Sequence, residues 1–204
     1  MLKIQAEAQV PTEYGNFRMI AFSEDENDWM PHMAIIAENT DLSKPINVRF
    51  HSECITGEVF HSKKCECGQQ LDAAMKFIHE NGGIIIYLRQ EGRNIGIINK
   101  LKAYCLQEKG FDTVEANLKL GLPADDRDFG DAIEVLTILG VKEINLLTNN
   151  PAKMKIVEDS NIRLNKRIPL QINSTSDSES YLKVKKDYFG HLLEDDDDII
   201  NRTL

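Results

Sequence analysis

Hydrophobic and polar positions alternate along the first fifty residues. Ile4, Ala6, Ala8 and Val10 alternate with polar partners, and the stretches FRMIAF, HMAIIAE and INVRFH follow, separated by turn-rich spacers. A period of two sends successive side chains to opposite faces, so the pattern predicts strands of an antiparallel sheet. From Gly68 the period lengthens. Leu71, Ala74, Met75 and Ile78 recur at helical spacing until Gly82 and Gly83, after which IIIYL reads as a strand.

Strands and helices then alternate. A second helix is predicted from about Asn94 to Glu108, with Ile95, Ile98, Leu101 and Cys105 on one apolar stripe and Gly110 as its stop. A third covers Phe129 to Leu139 and leads into the strand INLLT. Asn149, Asn150 and Pro151 read as an N-cap followed by proline at the first helical position, opening a helix that ends near Asn161. IRLNKRIPLQI resumes extended structure, and the serines and acids from Ser174 to Ser180 predict a linker into a last helix, YLKVKKDYFGHLL. The fold class is mixed α/β (α+β): antiparallel strands first, then alternating strands and helices. One domain is expected over residues 1–173, with a linker, a helix and an acidic tail over 174–204.

Composition narrows the function classes. A chain of 204 residues, 42% hydrophobic, is long enough to bury a core. Apolar runs such as Ile84 to Leu88 are too short to cross a bilayer, and MLKIQAEAQV forms no signal-peptide core, so a soluble, cytoplasmic protein is expected. The formal net charge of -9 argues against broad adhesion to nucleic acid or to an anionic membrane, since both need a positive field. Part of it comes from Glu194 to Asp198, a run that reads as solvated tail. Four cysteines without a secretory signal are expected to stay reduced, which favours metal binding or catalysis over a disulfide framework.

Three of those cysteines fall in HSECITGEVFHSKKCECG: Cys54, Cys65 and Cys67. Cys65 and Cys67 immediately precede a helix, whose positive end favours thiolates. Three thiolates meeting one zinc ion would leave a fourth position open for water, the arrangement of a catalytic rather than a structural site. A closed structural site would need a fourth ligand, for which His51, His61 and Cys105 are available; three ordinary reduced cysteines are the plain alternative. Two strand-to-helix junctions add polar chemistry. LRQEGRNIG, residues 88 to 96, turns through Gly92 with Arg89 and Arg93 nearby, and TNNPAK sets Thr148 and Lys153 at the carboxyl end of a strand, where α/β sheets bind ligands. LPADDRDF supplies Asp125, Asp126, Arg127 and Asp128, acids for proton transfer and a guanidinium for phosphoryl oxygen, or simply the acidic start of a helix. The glycines match neither a Walker loop nor the dinucleotide fingerprint.

In combination and order these motifs resemble GTP cyclohydrolase II, the zinc enzyme that opens the guanine ring at the entry to riboflavin synthesis. The resemblance runs from AEAQVPTEYGNF through VRFHSECITGEVFHSKKCECGQQL, RQEGRNIGIINKLKAY, DTVEANLKLG and ADDRDF to LLTNNPAK and GHLL, nearly the whole chain. It implies one zinc per subunit on Cys54, Cys65 and Cys67 with water in the open position, attack at C8 of GTP, and release of formate and pyrophosphate. It implies nucleotide contacts at Arg49, Phe50, His51, Ser52, Glu53, Gln70, Glu91, Gly92, Arg93, Thr113, Thr148 and Lys153, with Glu91 suited to the guanine edge or a magnesium ion. Asp125 matches the family's proton acceptor and Arg127 its proposed nucleophile toward the α-phosphorus. A guanidinium stays protonated, so we read Arg127 as an electrostatic clamp. Tyr104 matches a tyrosine that assists the zinc-site chemistry, although Ile97, Leu101 and Tyr104 also share core-like helical spacing. His32, His61, His79 and His191 read as surface or packing residues. Mg2+ on the triphosphate, a homodimer and a monofunctional enzyme are also implied. The rival readings are a variant that stops at the formamide product and a guanine-nucleotide-binding module that zinc merely stabilises.

Overall fold

The structure, a computed structural model, describes residues 1–170, 172 and 188–192. In chain order its elements are β1 (Lys3–Thr12), β2 (Gly15–Ser23), β3 (His32–Ala37), β4 (Ile46–Ser52), α1 (Ile55–Glu58), α2 (Cys67–Asn81), β5 (Ile84–Leu88), α3 (Glu91–Asn94), α4 (Gly96–Gln107), α5 (Thr113–Lys119), α6 (Gly130–Ile138), β6 (Glu143–Leu147), α7 (Pro151–Glu158) and β7 (Arg163–Ile168). The strands form one mixed sheet in the order β1-β2-β3-β5-β4-β6-β7. Its first part is antiparallel, as the alternation predicts: β1 with β2, β2 with β3, and β3 with β5. The expectation that β4 continues this antiparallel sheet is corrected. It pairs parallel with β5 on one side and with β6 on the other, and β7 extends the parallel half.

Strand parity sorts the core into two layers. Ile20 and Phe22 of β2, Ile84, Ile86 and Leu88 of β5, and Ile144 and Leu146 of β6 pack with Phe129, Ala132, Val135 and Leu136 at α6 and Val157 of α7. On the other face Phe17 and Ile85 pack with Ala74, Met75 and Ile78 of α2. The apolar stripe read at the head of α2 is therefore its buried face. In α4 the predicted stripe points the other way: Ile98 is 69% exposed and Leu101 50%, while Ala103 is the buried residue. Helical spacing identifies a stripe but not which side the rest of the molecule covers.

The crossover from β4 to β5 carries α2 on one face, and the chain then returns past β4 to β6 by way of α6 on the other. Reversal of this kind opens a crevice at the carboxyl ends of the central parallel strands. The caps read from sequence are present where they matter for that crevice. Asn150 accepts the Ala152 amide at 2.9 Å and Pro151 starts α7. The helix expected over 181–193 differs within the described part: residues 188–192 form a turn, with Gly190 at φ +61°. There the Leu192 amide donates to Asn149 O at 2.9 Å, which ties this segment to the start of α7. The linker before it and the acidic run after it lie outside the described residues.

Candidate functional site

Three strand ends build the site. β4 runs out through Ser52 into Cys54, β5 through Leu88 into the Glu91–Asn94 turn, and β6 through Leu147 into Thr148 and α7. Cys67 is the first residue of α2, so its sulfur sits at the positive end of that helix. The sulfurs of Cys54, Cys65 and Cys67 lie within 4.8 Å of one another, and those of Cys54 and Cys65 are 3.6 Å apart. Tetrahedral Zn–S bonds of about 2.3 Å set neighbouring sulfurs roughly 3.8 Å apart, so the trio fits one ion with little adjustment. Cys105 is exposed and stands outside the group, as do His51 and His61; among the described residues no fourth side chain joins it.

Two glycines, one of them read from sequence only as a helix start, make the convergence possible. A Cβ on Gly57 would lie 2.9 Å from Cys65 Sγ and 3.3 Å from Cys54 Sγ, and one on Gly68 would lie 2.4 Å from Gly57 O. α1 and α2 therefore touch backbone to backbone, and the sulfurs close over Gly57. Hydrogen bonds from the Cys65 and Cys67 thiols, with Lys100 alongside, hold the Cys54 thiol well below its ordinary range. The hydrogen bonds to Cys54 correspondingly push Cys65 and Cys67 up. Cys54 is thus the sulfur most disposed to ionise, and binding of a metal would displace the remaining thiol protons.

Two carboxylates hold the cysteine loop. Glu58 accepts the Cys54 amide at 2.8 Å and His51 Nε2 at 2.9 Å through one oxygen, and the Tyr87 hydroxyl through the other. Glu91 accepts the Ile55 amide at 2.6 Å, and its second oxygen takes Lys100 Nζ at 2.8 Å. Burial holds the His51 imidazole below its ordinary pKa, Glu58 notwithstanding. No local pattern distinguishes Glu58 or Lys100 from surface charges. Only their enclosure does.

The sulfurs lie on the wall of a cavity of about 510 Å³ that is also lined by Ser52, Glu53, Gly92, Arg93, Tyr104 and Thr113, with Lys100 and Arg127. Burial raises the Tyr104 hydroxyl to about 12, and Lys64 Nζ stands 4.6 Å from the centre of its ring. A smaller cavity of about 70 Å³ adjoins it, sharing Ser52, Cys67 and Arg127 and adding Arg49, His51, Gln70, Thr148, Lys153 and His191. Arg49 donates to Leu147 O and to Gln70 Oε1, and Lys153 Nζ to Phe50 O at 2.8 Å. Burial lowers the Arg49 guanidinium to about 10, still cationic at neutral pH. Arg49 Nε and His51 Nδ1 are buried without a hydrogen-bond partner.

Nearly all the residues singled out in the sequence meet here. Phe50 does so through its backbone only, since its side chain is fully buried in the core. Glu91 is turned to the cysteine loop and Lys100. Asp125 stands behind Arg127, accepting Nε at 2.8 Å and also Nη2, and although burial opposes its charge the arginine lowers its pKa. The loop carrying this pair is latched to the β5 turn: the Asp126 amide donates to Arg93 O, and Asn94 Nδ2 to Asp126 O. Gly92, Arg93 and Asn94 all have positive φ, at 64°, 62° and 71°. Strained backbone in two non-glycine residues is concentrated where the two loops meet. His191, read as a surface or packing residue, lines the smaller cavity.

Comparison with known proteins gives this geometry a context. GTP cyclohydrolase-2 of Neisseria gonorrhoeae is 48% identical over 191 residues, 93% of this chain and 96% of that one. The Campylobacter fetus GTP cyclohydrolase-2 is 46% identical over 188 residues, 92% of this chain and 94% of the relative. The Staphylococcus saprophyticus riboflavin biosynthesis protein RibBA is 47% identical over 192 residues, and the chain spans about half of that longer protein, 48%. Among solved structures, RibBX, a two-domain 3,4-dihydroxy-2-butanone 4-phosphate synthase from A. baumannii, is 15% identical with a TM-score of 0.48, over 84% of this chain and 40% of that one, a likeness too distant to carry an argument. The sequence profile of GTP cyclohydrolase II matches residues 3–169, which takes in every strand and all three cysteines. With relatives nearly half identical along almost their full length, the chain belongs to the GTP cyclohydrolase II family.

Proposed function

We propose that this chain hydrolyses GTP, opening the guanine imidazole ring at C8. Formate and pyrophosphate leave, and the product is 2,5-diamino-6-hydroxy-4-(5-phosphoribosylamino)pyrimidine, the first step of riboflavin biosynthesis. The observation that carries this reading is the trio of cysteine sulfurs on the wall of a nucleoside-sized cavity whose neighbour is lined by Arg49, Arg127 and Lys153. Cys54, Cys65 and Cys67 would hold zinc. When bound, zinc supplies Lewis-acid activation of water near neutral pH.

The chain's own residues bind and orient. Arg49, Thr148, Lys153 and Arg127 present cations and a hydroxyl to phosphoryl oxygens, and Gln70 and His51 back the same wall. Ser52, Glu53, Gly92, Arg93 and Thr113 frame the base and ribose. Glu91, with both oxygens engaged, serves by fixing the Cys54 loop. Asp125 is held ionised by Arg127 and is the proton acceptor; Arg127, always protonated, stabilises developing phosphate charge rather than attacking phosphorus. Trapping a covalent guanylyl adduct on Arg127 would overturn that role. Tyr104, neutral at working pH, offers a donor near the sulfurs. Mg2+ accompanies the triphosphate, and the working form is a cytoplasmic homodimer. Among the described residues no helix is long and apolar enough to cross a membrane.

The deciding experiment incubates purified protein with GTP and Mg2+ and measures formate and pyrophosphate together, before and after metal stripping. Equimolar release that stops on stripping and returns with zinc supports the proposal. Pyrophosphate without formate would identify the formamide-stage variant, and neither product, with a fold lost on stripping, the nucleotide-binding module.

A further inference from the structure

Lys100 stands in the second turn of α4, its side chain only 12% exposed, and has no part in the reaction as proposed above. Its ammonium lies 3.0 Å from Cys54 Sγ and 2.8 Å from Glu91 Oε1. The other oxygen of Glu91 accepts the Ile55 amide, the residue after Cys54, so carboxylate, ammonium and sulfur form a closed loop around one metal ligand. Backbone conformation makes room for the lysine stem. A Cβ on Gly92, at φ +64°, would lie 3.1 Å from Lys100 Cβ.

Three thiolates on a divalent cation carry a net charge of about -1, and thiolate is a strong donor that blunts the cation's electrophilicity. A buried ammonium at hydrogen-bond distance withdraws density from one sulfur. Resting on the tri-cysteine metal reading above, we propose that Lys100 is a positioning residue of the metal centre. It makes Cys54 a weakened donor, so that the centre is more electrophilic than three free thiolates would leave it. Glu91 holds the ammonium in register and touches no sulfur itself in this arrangement.

The test replaces the native metal with Co2+ and records the thiolate-to-cobalt charge-transfer band of the full chain. Removing the cation raises the energy of the Cys54 lone pairs, so Lys100→Met shifts the band to longer wavelength, and Lys100→Arg, which keeps a cation, leaves it near the wild-type position. Because Lys100→Met strands a buried carboxylate, the pair Lys100→Met/Glu91→Gln is measured beside it and is expected to shift the band in the same direction in a folded protein. In parallel, kcat on GTP falls about tenfold in both with KM little changed. A wild-type protein without a cobalt–thiolate band would sink the metal reading and this inference with it. A wild-type band that is unmoved in the lysine-free variants, or moved as far in Lys100→Arg, would overturn the inference alone.

Discussion

Gly57 lies outside the left-handed region, so its backbone asks for no glycine, yet an added methyl would sit 2.9 Å from Cys65 Sγ. Its role is to let the three cysteine side chains occupy the space a side chain would fill. Gly57→Ala is therefore expected to fold while losing metal affinity by about 10- to 100-fold, the range found when groups around ligands are disturbed. Competition with a chromophoric chelator measures it, and unchanged affinity would show that the cradle tolerates a methyl. Tyr104 poses a different question. Its hydroxyl lines the large cavity with the cysteines, whereas the phosphate-sized cavity does not include it. Tyr104→Phe should slow formate release more than pyrophosphate release; equal slowing of both would remove the residue from the ring chemistry. Both positions were unequally legible. Tyr104 matched a family residue with a chemical role, while Gly57, between Thr56 and Glu58, looked like any turn glycine, because its significance is a distance to residues eight and ten positions away.

At the level of elements, α5 shows how a local signal can position part of the site. Asp112 accepts the Val114 and Glu115 amides at 2.7 and 2.8 Å, and Glu115 returns a bond to the Asp112 amide at 3.0 Å, a complete capping box. Thr113, the first residue of that helix, lines the cavity. Loss of an N-cap costs about 1 kcal/mol, so Asp112→Ala should lower the melting temperature by roughly 2–4 °C in a chain of this size. Thermal unfolding followed by far-UV circular dichroism reports it, and no change would mean that α5 is held by packing alone. The same helix was not anticipated from the apolar pattern, since seven residues are too few to establish a period. The α4 stripe failed for the opposite reason: its period was clear, and its exposed side was decided by neighbours distant in sequence.

Across the whole molecule, pH reaches stability through buried groups such as His51. Burial holds its imidazole below the ordinary value, so the folded protein keeps it neutral while the unfolded chain takes up a proton near about pH 6.5. The unfolded state then binds more protons, and stability rises with pH across that window and falls as pH drops through it. Urea midpoints should therefore decline from about pH 7.5 to about pH 5.5, and His51→Gln should flatten the decline; an equal slope in both proteins would assign it elsewhere. On this same scale the division between sequence and structure is plain. The order and type of most elements, the caps of α2 and α7, and the identity of the cysteines and of the polar residues at the strand ends were written in local pattern and motif, because propensity, period and capping act over a few residues. The parallel seat of β4 between β5 and β6, the outward face of α4, the Glu58 and Lys100 braces and the left-handed run at Gly92 to Asn94 were settled only by the packed chain. Each is a relation between segments tens of residues apart, and burial, the energy that selects it, does not exist until those segments meet.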